Sequence, residues 1–114
     1  MVIESYTFGN IVIDGRRYSS DLIIYPDGKI VDGWWRKSGH LMAAADIADL
    51  IAAGPEVVVV GTGASGQLKP ARGIDKLLAK KGIRMVAAPS GQALNHFNEL
   101  SQSKRVGACF HLTC

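Results

Sequence analysis

The segment of this sequence that is best suited to bind a ligand is a glycine-rich hexad that follows an apolar run. Residues 57–60 are four valines, and Gly61-Thr62-Gly63-Ala64-Ser65-Gly66 follows them directly. A strand that leads into G-x-G-x-x-G opens the dinucleotide-binding fingerprint, in which the backbone and a helix N-terminus hold a pyrophosphate. The fingerprint also needs an acidic residue about 20 residues later. Residues 81–90 read KGIRMVAAPS and contain no acid, so the sequence argues against a dinucleotide site.

Two interpretations of the hexad remain. A Walker A loop is excluded, because Gln67 and Leu68 follow Gly66 where Lys and Ser or Thr are required. The segment is then either a flexible connection between strand and helix, or a small-anion site built from main-chain N–H groups. The candidate ligand-binding residues for the second interpretation are Gly61, Thr62, Gly63, Lys69, Ser90 and His40.

Other side chains with catalytic potential are scattered along the chain. They are Ser65, Ser90, His40, His96, His111 and Cys109. A Ser-His-acid triad is defined by geometry rather than order, so it stays possible, but there is no G-x-S-x-G elbow. We expect Ser90 to cap a helix and His40 to have a capping or packing role. No C-x-x-C or H-x-x-x-H pair is present, so we predict no metal site, no cofactor and no catalytic residue.

Composition predicts a globular protein of one domain, residues 1–114. Hydrophobic residues make up 47% and charged residues 20% of the chain. No apolar run approaches the length of a membrane span, and the N-terminus lacks the features of a signal peptide. Cys109 and Cys114 would be too far apart for a disulfide if they share a strand, with Cys109 in the core and Cys114 exposed. We therefore expect reduced thiols and a cytoplasmic location.

A cluster of cations is the first candidate partner surface. Six basic residues lie between positions 69 and 84 against one acid, Asp75. Arg72, Lys76 and Lys80 are spaced four residues apart and would share one face of a helix. No aromatic residues interleave with these charges to stack bases, which argues against nucleic-acid binding. The face is either simply solvated or contacts an acidic protein partner.

The pair Trp34-Trp35 is the second candidate partner surface. The two residues fall in a predicted strand over 29–35, where neighbouring side chains point to opposite faces. One indole would then belong to the core, and the other would be exposed or buried in an interface. Alternatively, the following helix covers both.

The patterns along the chain predict an antiparallel meander followed by alternating helices and strands. Turn pairs at 14–15 and 26–28 separate strands over 9–13, 16–18, 21–25 and 29–35. Helices are predicted over 40–53, with Ser38 as cap, over 70–81, beginning at Pro70, and over 91–101, with Ser90 as cap. The strands over 56–60 and 83–88 form a parallel β-α-β crossover, and the last strand spans 105–113. Any small-molecule site would lie at their carboxyl ends, where the loops 61–69 and 89–90 meet.

Four blocks of this sequence resemble a known family. They are I-x-I-D-G-x-x-Y-x-x-D-L-I-I-x-P-D-G from Ile11, Trp35-Arg36 with His40, Val60-Gly61-Thr62-Gly63, and Ala93-x-x-x-Phe97-Asn98-x-Leu100 with Arg105-Val106. They resemble a family of small uncharacterised α/β domains, whose members include a mitochondrial complex I assembly factor and an adipogenesis-associated cytoplasmic protein. The resemblance implies a three-layer α/β domain with a mixed sheet and a C-terminal strand antiparallel to its neighbours. It implies no agreed catalytic mechanism.

The sequence therefore leaves two functions open. The leading hypothesis is a non-enzymatic protein-interaction or assembly module that contacts a protein partner, or forms a homo-oligomer, through Trp34 or Trp35 and the face of Arg72, Lys76 and Lys80. The alternative is a small-anion binder or enzyme that uses the loop 61–66.

Overall fold

The structure, a computed structural model that describes residues 1–114, begins with a three-stranded antiparallel sheet. Its strands are β1 (Ile3–Thr7), β2 (Asn10–Ile13) and β3 (Arg16–Tyr18). Asp14 and Gly15 connect β2 to β3 and both have positive φ, at 49° and 80°. That conformation matches the right-handed twist of a hairpin, and it confirms the predicted turn.

The main sheet has five strands in the order β5-β4-β10-β7-β9, and a further pair, β6 and β8, forms a small sheet beside it. In chain order these strands are β4 (Leu22–Ile24), β5 (Ile30–Asp32), β6 (Leu41–Met42), β7 (Val57–Thr62), β8 (Lys69–Pro70), β9 (Arg84–Ala88) and β10 (Val106–His111). The predicted meander is thus divided between two sheets. Strand β10 is antiparallel to β4 but parallel to β7, so the expected antiparallel direction holds for only one neighbour.

The four valines of β7 are buried because helices cover both faces of the sheet. Val57 and Val59 pack into one apolar cluster with Ala93 and Phe97 of α3 (Ser90–Leu100). Val58 and Val60 belong to a second cluster on the other face, below α1 (Ala48–Ala52) and α2 (Ile74–Lys80). Strands β7 and β9 are parallel and α2 joins them. The predicted three-layer architecture and crossover are confirmed.

The first predicted helix, over 40–53, is wrong in its N-terminal half. Leu41 and Met42 form β6 and pair with Lys69 and Pro70, and a 3-10 turn over Ala44–Ile47 leads into α1. Ser38 caps no helix. Instead Asp46 Oδ2 accepts a hydrogen bond of 2.8 Å from Ala43 N, which fixes the start of the turn there.

The other two helices also begin differently from the prediction. Pro70 lies in β8. The helix α2 begins after Gly73, whose φ of 83° is incompatible with a helix that continues through this residue. Leu77, an apolar residue of α2, is 40% exposed. The cap of α3 is Pro89 rather than Ser90, which is the first helical residue. None of these helices is long and apolar enough to cross a membrane.

Candidate functional site

The segment from the end of β7 to the start of β8, residues 61–69, forms a loop that is closed by hydrogen bonds within the chain. Six of its main-chain N–H groups already donate outside the β7 ladder: Gly63 to Ser90 Oγ (2.9 Å), Ala64 to Thr113 O (2.7 Å), Gly66 to Gly63 O (3.4 Å), Gln67 to Cys114 O (2.9 Å), Leu68 to Thr62 O (3.1 Å) and Lys69 to His40 O (2.8 Å). An anion nest requires such groups to be free and convergent. The anion-binding hypothesis therefore lacks its principal donors in this loop.

Two glycines of this loop are explained by packing. A Cβ atom at Gly61 would overlap the ring of Phe110 and lie 2.9 Å from Ser90 Oγ. Gly63 has a φ of 97°, and a Cβ atom there would come 2.6 Å from Thr113 O. Glycine is thus required where one buried ring and the segment after β10 press against the loop.

The remaining anion-binding candidates do not form an enclosed site. Lys69 Nζ donates to Gly66 O at 2.9 Å, and Thr62 is buried. The Ser90 hydroxyl accepts from Gly63 N and donates to His111 O at 2.6 Å, so it ties the loop to β10. A shallow open groove of about 380 Å³ lies beside Thr62 and Lys69. The largest groove, about 600 Å³, lies elsewhere, between the β4–β5 turn and the end of α3.

Residues 33–40, which we call the Trp loop, leave the sheet after β5. Gly33 has a φ of 72°, so the predicted strand ends before the two tryptophans. Trp34 is buried; its N–H donates to Asp21 O and its Nε1 to Asp46 O, both at 2.9 Å. Trp35 is 77% exposed. The two indoles have opposite environments, as expected, although they lie in a loop and not on a strand.

Arg36 anchors the Trp loop to the body of the domain. Its guanidinium lies over the Trp34 ring, 4.5 Å from the centroid, and its Nη1 donates to Asp21 Oδ2 at 3.0 Å. Its Nε donates to Gly39 O at 2.9 Å, and only 6% of the side chain is accessible. Asp21 Oδ1 also accepts from Leu112 N at 2.8 Å. A largely buried Arg–carboxylate pair thus ties the middle of this loop to Asp21 and, through Asp21, to Leu112 after β10.

His111 completes the cluster below the Trp loop. Its Nδ1 lies 2.8 Å from Asp21 Oδ2 and 3.3 Å from Arg36 Nη2, and its Nε2 is the one buried side-chain N or O atom without a partner. His40 does not open a helix. Its exposed side chain meets the His111 ring edge to face, with 5.6 Å between centroids.

An Asp–His pair of this kind orients an imidazole in hydrolases. Here no hydroxyl or thiol donates to His111 Nε2, and none of the surface grooves is lined by His111, Asp21 or Arg36. Cys109 lies buried nearby, with its Sγ 3.7 Å from Met42 Sδ. Burial raises the pKa of the Cys109 thiol, an effect that Arg36 opposes and Asp21 reinforces, so the thiol is not activated as a nucleophile. The cluster has the geometry of an anchor.

The sequence does not show this cluster as a unit. Asp21 and His111 are 90 residues apart, and Arg36 and His111 are 75 apart. Two features of the sequence pointed to its members: Asp21 directly precedes a buried strand, and the Trp35-Arg36 pair belongs to one of the four blocks that resemble the family. No group of three or more His, Cys, Asp or Glu side chains is placed to hold a metal ion.

The basic candidates are exposed but do not share one helix. Arg72 precedes α2, so only Lys76 and Lys80 lie on its surface, one turn apart. None of the three forms an ion pair, since the two salt bridges of the protein both involve Asp21. The predicted common face is corrected to a cationic surface that spans the turn before α2 and the helix itself.

Comparison with known proteins gives a family and a fold. The sequence pattern of a family described as "Protein of unknown function (DUF498/DUF598)" matches residues 3–111. A conserved hypothetical protein from Pyrococcus horikoshii is 29% identical over the full length of both chains, with a TM-score of 0.84. A protein called MT938 is 26% identical over 99% of this chain and 98% of its own, with a TM-score of 0.83. An Mth938-like domain from Bordetella pertussis shares the fold at 21% identity, covering 97% of this chain and 85% of its own, with a TM-score of 0.62.

Proposed function

We propose, from the premise that the chain belongs to the DUF498/DUF598 family of proteins of unknown function, that it is a non-enzymatic protein-interaction module. One observation carries the proposal. Trp35 is 77% exposed although both neighbouring residues, Trp34 and Arg36, are fixed in the body of the domain. A large aromatic side chain presented by a fixed loop is the usual anchor of a protein interface, because little conformational entropy is lost on binding.

The surroundings of Trp35 suit a partner with an apolar pocket and an acidic rim. Leu41, 43% exposed, follows the Trp loop, and Lys37 is exposed within it. Arg72, Lys76 and Lys80 form a second exposed cationic surface, on the turn before α2 and on α2 itself. Charges of this kind steer an acidic partner and orient it, while the indole supplies most of the binding energy.

The resemblance to a family that includes a mitochondrial complex I assembly factor and an adipogenesis-associated cytoplasmic protein supports an assembly role. We expect the partner to be another protein in the cytoplasm, with a second copy of this chain as the alternative. An anion-binding or enzymatic role on the loop 61–66 has no comparable support, since the donors of that loop are paired within the chain.

Replacement of Trp35 tests this function directly. Wild-type protein and Trp35→Ala are purified gently from the protein's own source, and the co-purifying proteins are quantified by mass spectrometry. Phe8→Ala is the matched control, because Phe8 is a 64% exposed aromatic residue between β1 and β2. We expect Trp35→Ala to reduce the recovered partner at least about tenfold, as for an interface hot spot, and Phe8→Ala to leave it unchanged.

Sedimentation of the same three samples identifies the kind of partner. A homo-oligomer that Trp35→Ala dissociates would make the partner a second copy. The same co-purifying proteins at the same level in all three samples, or a bare monomer throughout, would contradict the proposed function.

A further inference from the structure

Strand β9 is an open edge of the main sheet. It pairs only with β7, and Arg84 N donates to Glu56 O at 3.0 Å. Because successive residues of a strand direct their main-chain groups to opposite sides, those of Arg84, Val86 and Ala88 face β7. The N–H and C=O groups of Met85 and Ala87 face outward, and no turn or side-chain hydrogen bond engages them.

Two shallow grooves lie at the two ends of this edge. One, of about 410 Å³, lies between α2 and the start of β9 and includes Ala79 and Met85. The other, of about 380 Å³, lies at the end of β9 and includes Lys69 and Ala87. An added strand would place alternate side chains on the face that carries the grooves, at a spacing of about 7 Å.

Positive charge surrounds the same edge. The exposed cations on α2, on the turn after it, at the start of β9 and on β8 are Lys76, Lys80, Lys81, Arg84 and Lys69. Asp75 is the single acid between positions 69 and 84, and it lines the first of the two grooves. Pairing two copies of β9 would bring two such cationic surfaces together, which is unfavourable. The opposite edge, β5, has only three residues and carries Asp32.

We infer that β9 binds an acidic, extended segment of a partner protein by strand addition. The segment pairs with the outward groups of Met85 and Ala87, its small apolar residues enter the two grooves, and its carboxylates meet the surrounding cations. Strand addition combines main-chain hydrogen bonds for affinity with side-chain pockets for specificity. The inference rests on the proposed function in taking a protein as the occupant, but it uses a surface other than the Trp loop.

Selection of short random peptides displayed on phage against the full chain tests the inference. We expect the enriched peptides to alternate acidic with apolar residues and to lose affinity as ionic strength rises. A synthetic copy of one such peptide should shift the amide resonances of Met85 and Ala87 and slow their hydrogen exchange. Enrichment of basic or uncharged peptides, or resonance shifts confined to other residues, would overturn the inference.

Ala87→Pro tests the pairing itself. It removes an outward N–H that the sheet does not use, and proline is tolerated on the open side of an edge strand. We expect it to weaken peptide binding at least about tenfold, whereas Phe8→Ala, an exposed substitution between β1 and β2 and away from this edge, should bind like wild type. Equal binding by both variants would overturn strand addition. If Ala87→Pro unfolds, the test is the hydrogen exchange of the wild-type chain: slower exchange of the Met85 and Ala87 amides with peptide supports strand addition, and unchanged exchange overturns it.

Two further outcomes separate this inference from the proposed function. Trp35→Ala should leave peptide binding unchanged, so peptide binding without any Trp35-dependent partner would refute only the role of the Trp loop. A Trp35-dependent partner without peptide binding at β9 would refute only the strand-addition site. Concentration-dependent protection of Met85 and Ala87 in the absence of peptide would assign the edge to a second copy and overturn the inference.

Discussion

The loop after β7 and the Trp loop use the same neighbouring strand, β10, in opposite ways. In the first, main-chain N–H groups of Ala64 and Gln67 turn inward to the segment that follows β10. In the second, Asp21 and His111 hold Arg36 from below, and Trp35 is left pointing to solvent. The polar groups of the loop after β7 hydrogen-bond within the fold. In the Trp loop, the ion pair of Asp21 and Arg36 fixes the backbone next to an exposed indole. The loop that carries the glycine-rich motif is thus the one with fewer unpaired polar groups available to a ligand.

Gly63→Ala should have the largest effect, because it tests the closure of the first loop. The positive φ and the approach to Thr113 O together predict a loss of about 3–5 kcal/mol in the free energy of unfolding, measured by urea denaturation. Gly73→Ala is the control, since Gly73 also has a positive φ but open space around it, and it should cost about 1 kcal/mol. Equal losses for the two variants would mean that backbone conformation, and not the contact with the segment after β10, explains Gly63.

Asp21→Asn tests the anchor of the Trp loop. Removing the carboxylate charge leaves Arg36 buried without its counter-ion, and breaking such a pair predicts a loss of about 3 kcal/mol in the free energy of unfolding. Acrylamide quenching of Trp34 fluorescence, measured in a Trp35→Phe background, should increase as the loop loosens. Asp32→Asn, an exposed acid without an ion pair, should change neither quantity. Unchanged stability and quenching in Asp21→Asn would show that Trp34 alone holds the loop.

Trp35→Ala should have the smallest effect on stability, because an exposed indole contributes little to the folded monomer. We expect the free energy of unfolding to change by no more than about 0.5 kcal/mol. This outcome also ensures that any loss of partner binding reflects the surface and not unfolding. A loss of several kcal/mol in urea denaturation would show that Trp35 packs within the domain, and the contrast between the two loops would fail.

Local sequence patterns predicted the elements whose structure is decided locally. The Asp14-Gly15 hairpin, the buried run of valines and the crossover between β7 and β9 all depend on residues close in sequence. The helices predicted to begin at His40 and Pro70 failed for one shared reason. Residues 41–42 and 69–70 pair with each other as β6 and β8, and this distant pairing overrides the local helical pattern.

The functional surfaces depended on the same kind of distant contact. The sequence identified Trp34 and Trp35 as a pair with opposite environments, but it could not show that Arg36 packs over Trp34 while Trp35 is exposed. The contacts that hold Arg36 come from Asp21 and His111, which reach it only in the folded sheet. For the glycine hexad, the sequence left two interpretations open, because the groups that bond to it, on Thr113 and Ser90, also come from later parts of the chain.

The central place of β10 in the main sheet has a consequence for synthesis on the ribosome. Strands β5 and β4 form one half of the sheet, β7 and β9 form the other, and only β10 hydrogen-bonds to both halves. In a nascent chain that has not reached residue 106, no strand is present to pair with the facing edges of β4 and β7, which are both apolar. The domain is expected to complete its sheet in one late step, and until then these edges are the surfaces that chaperones must shield from aggregation.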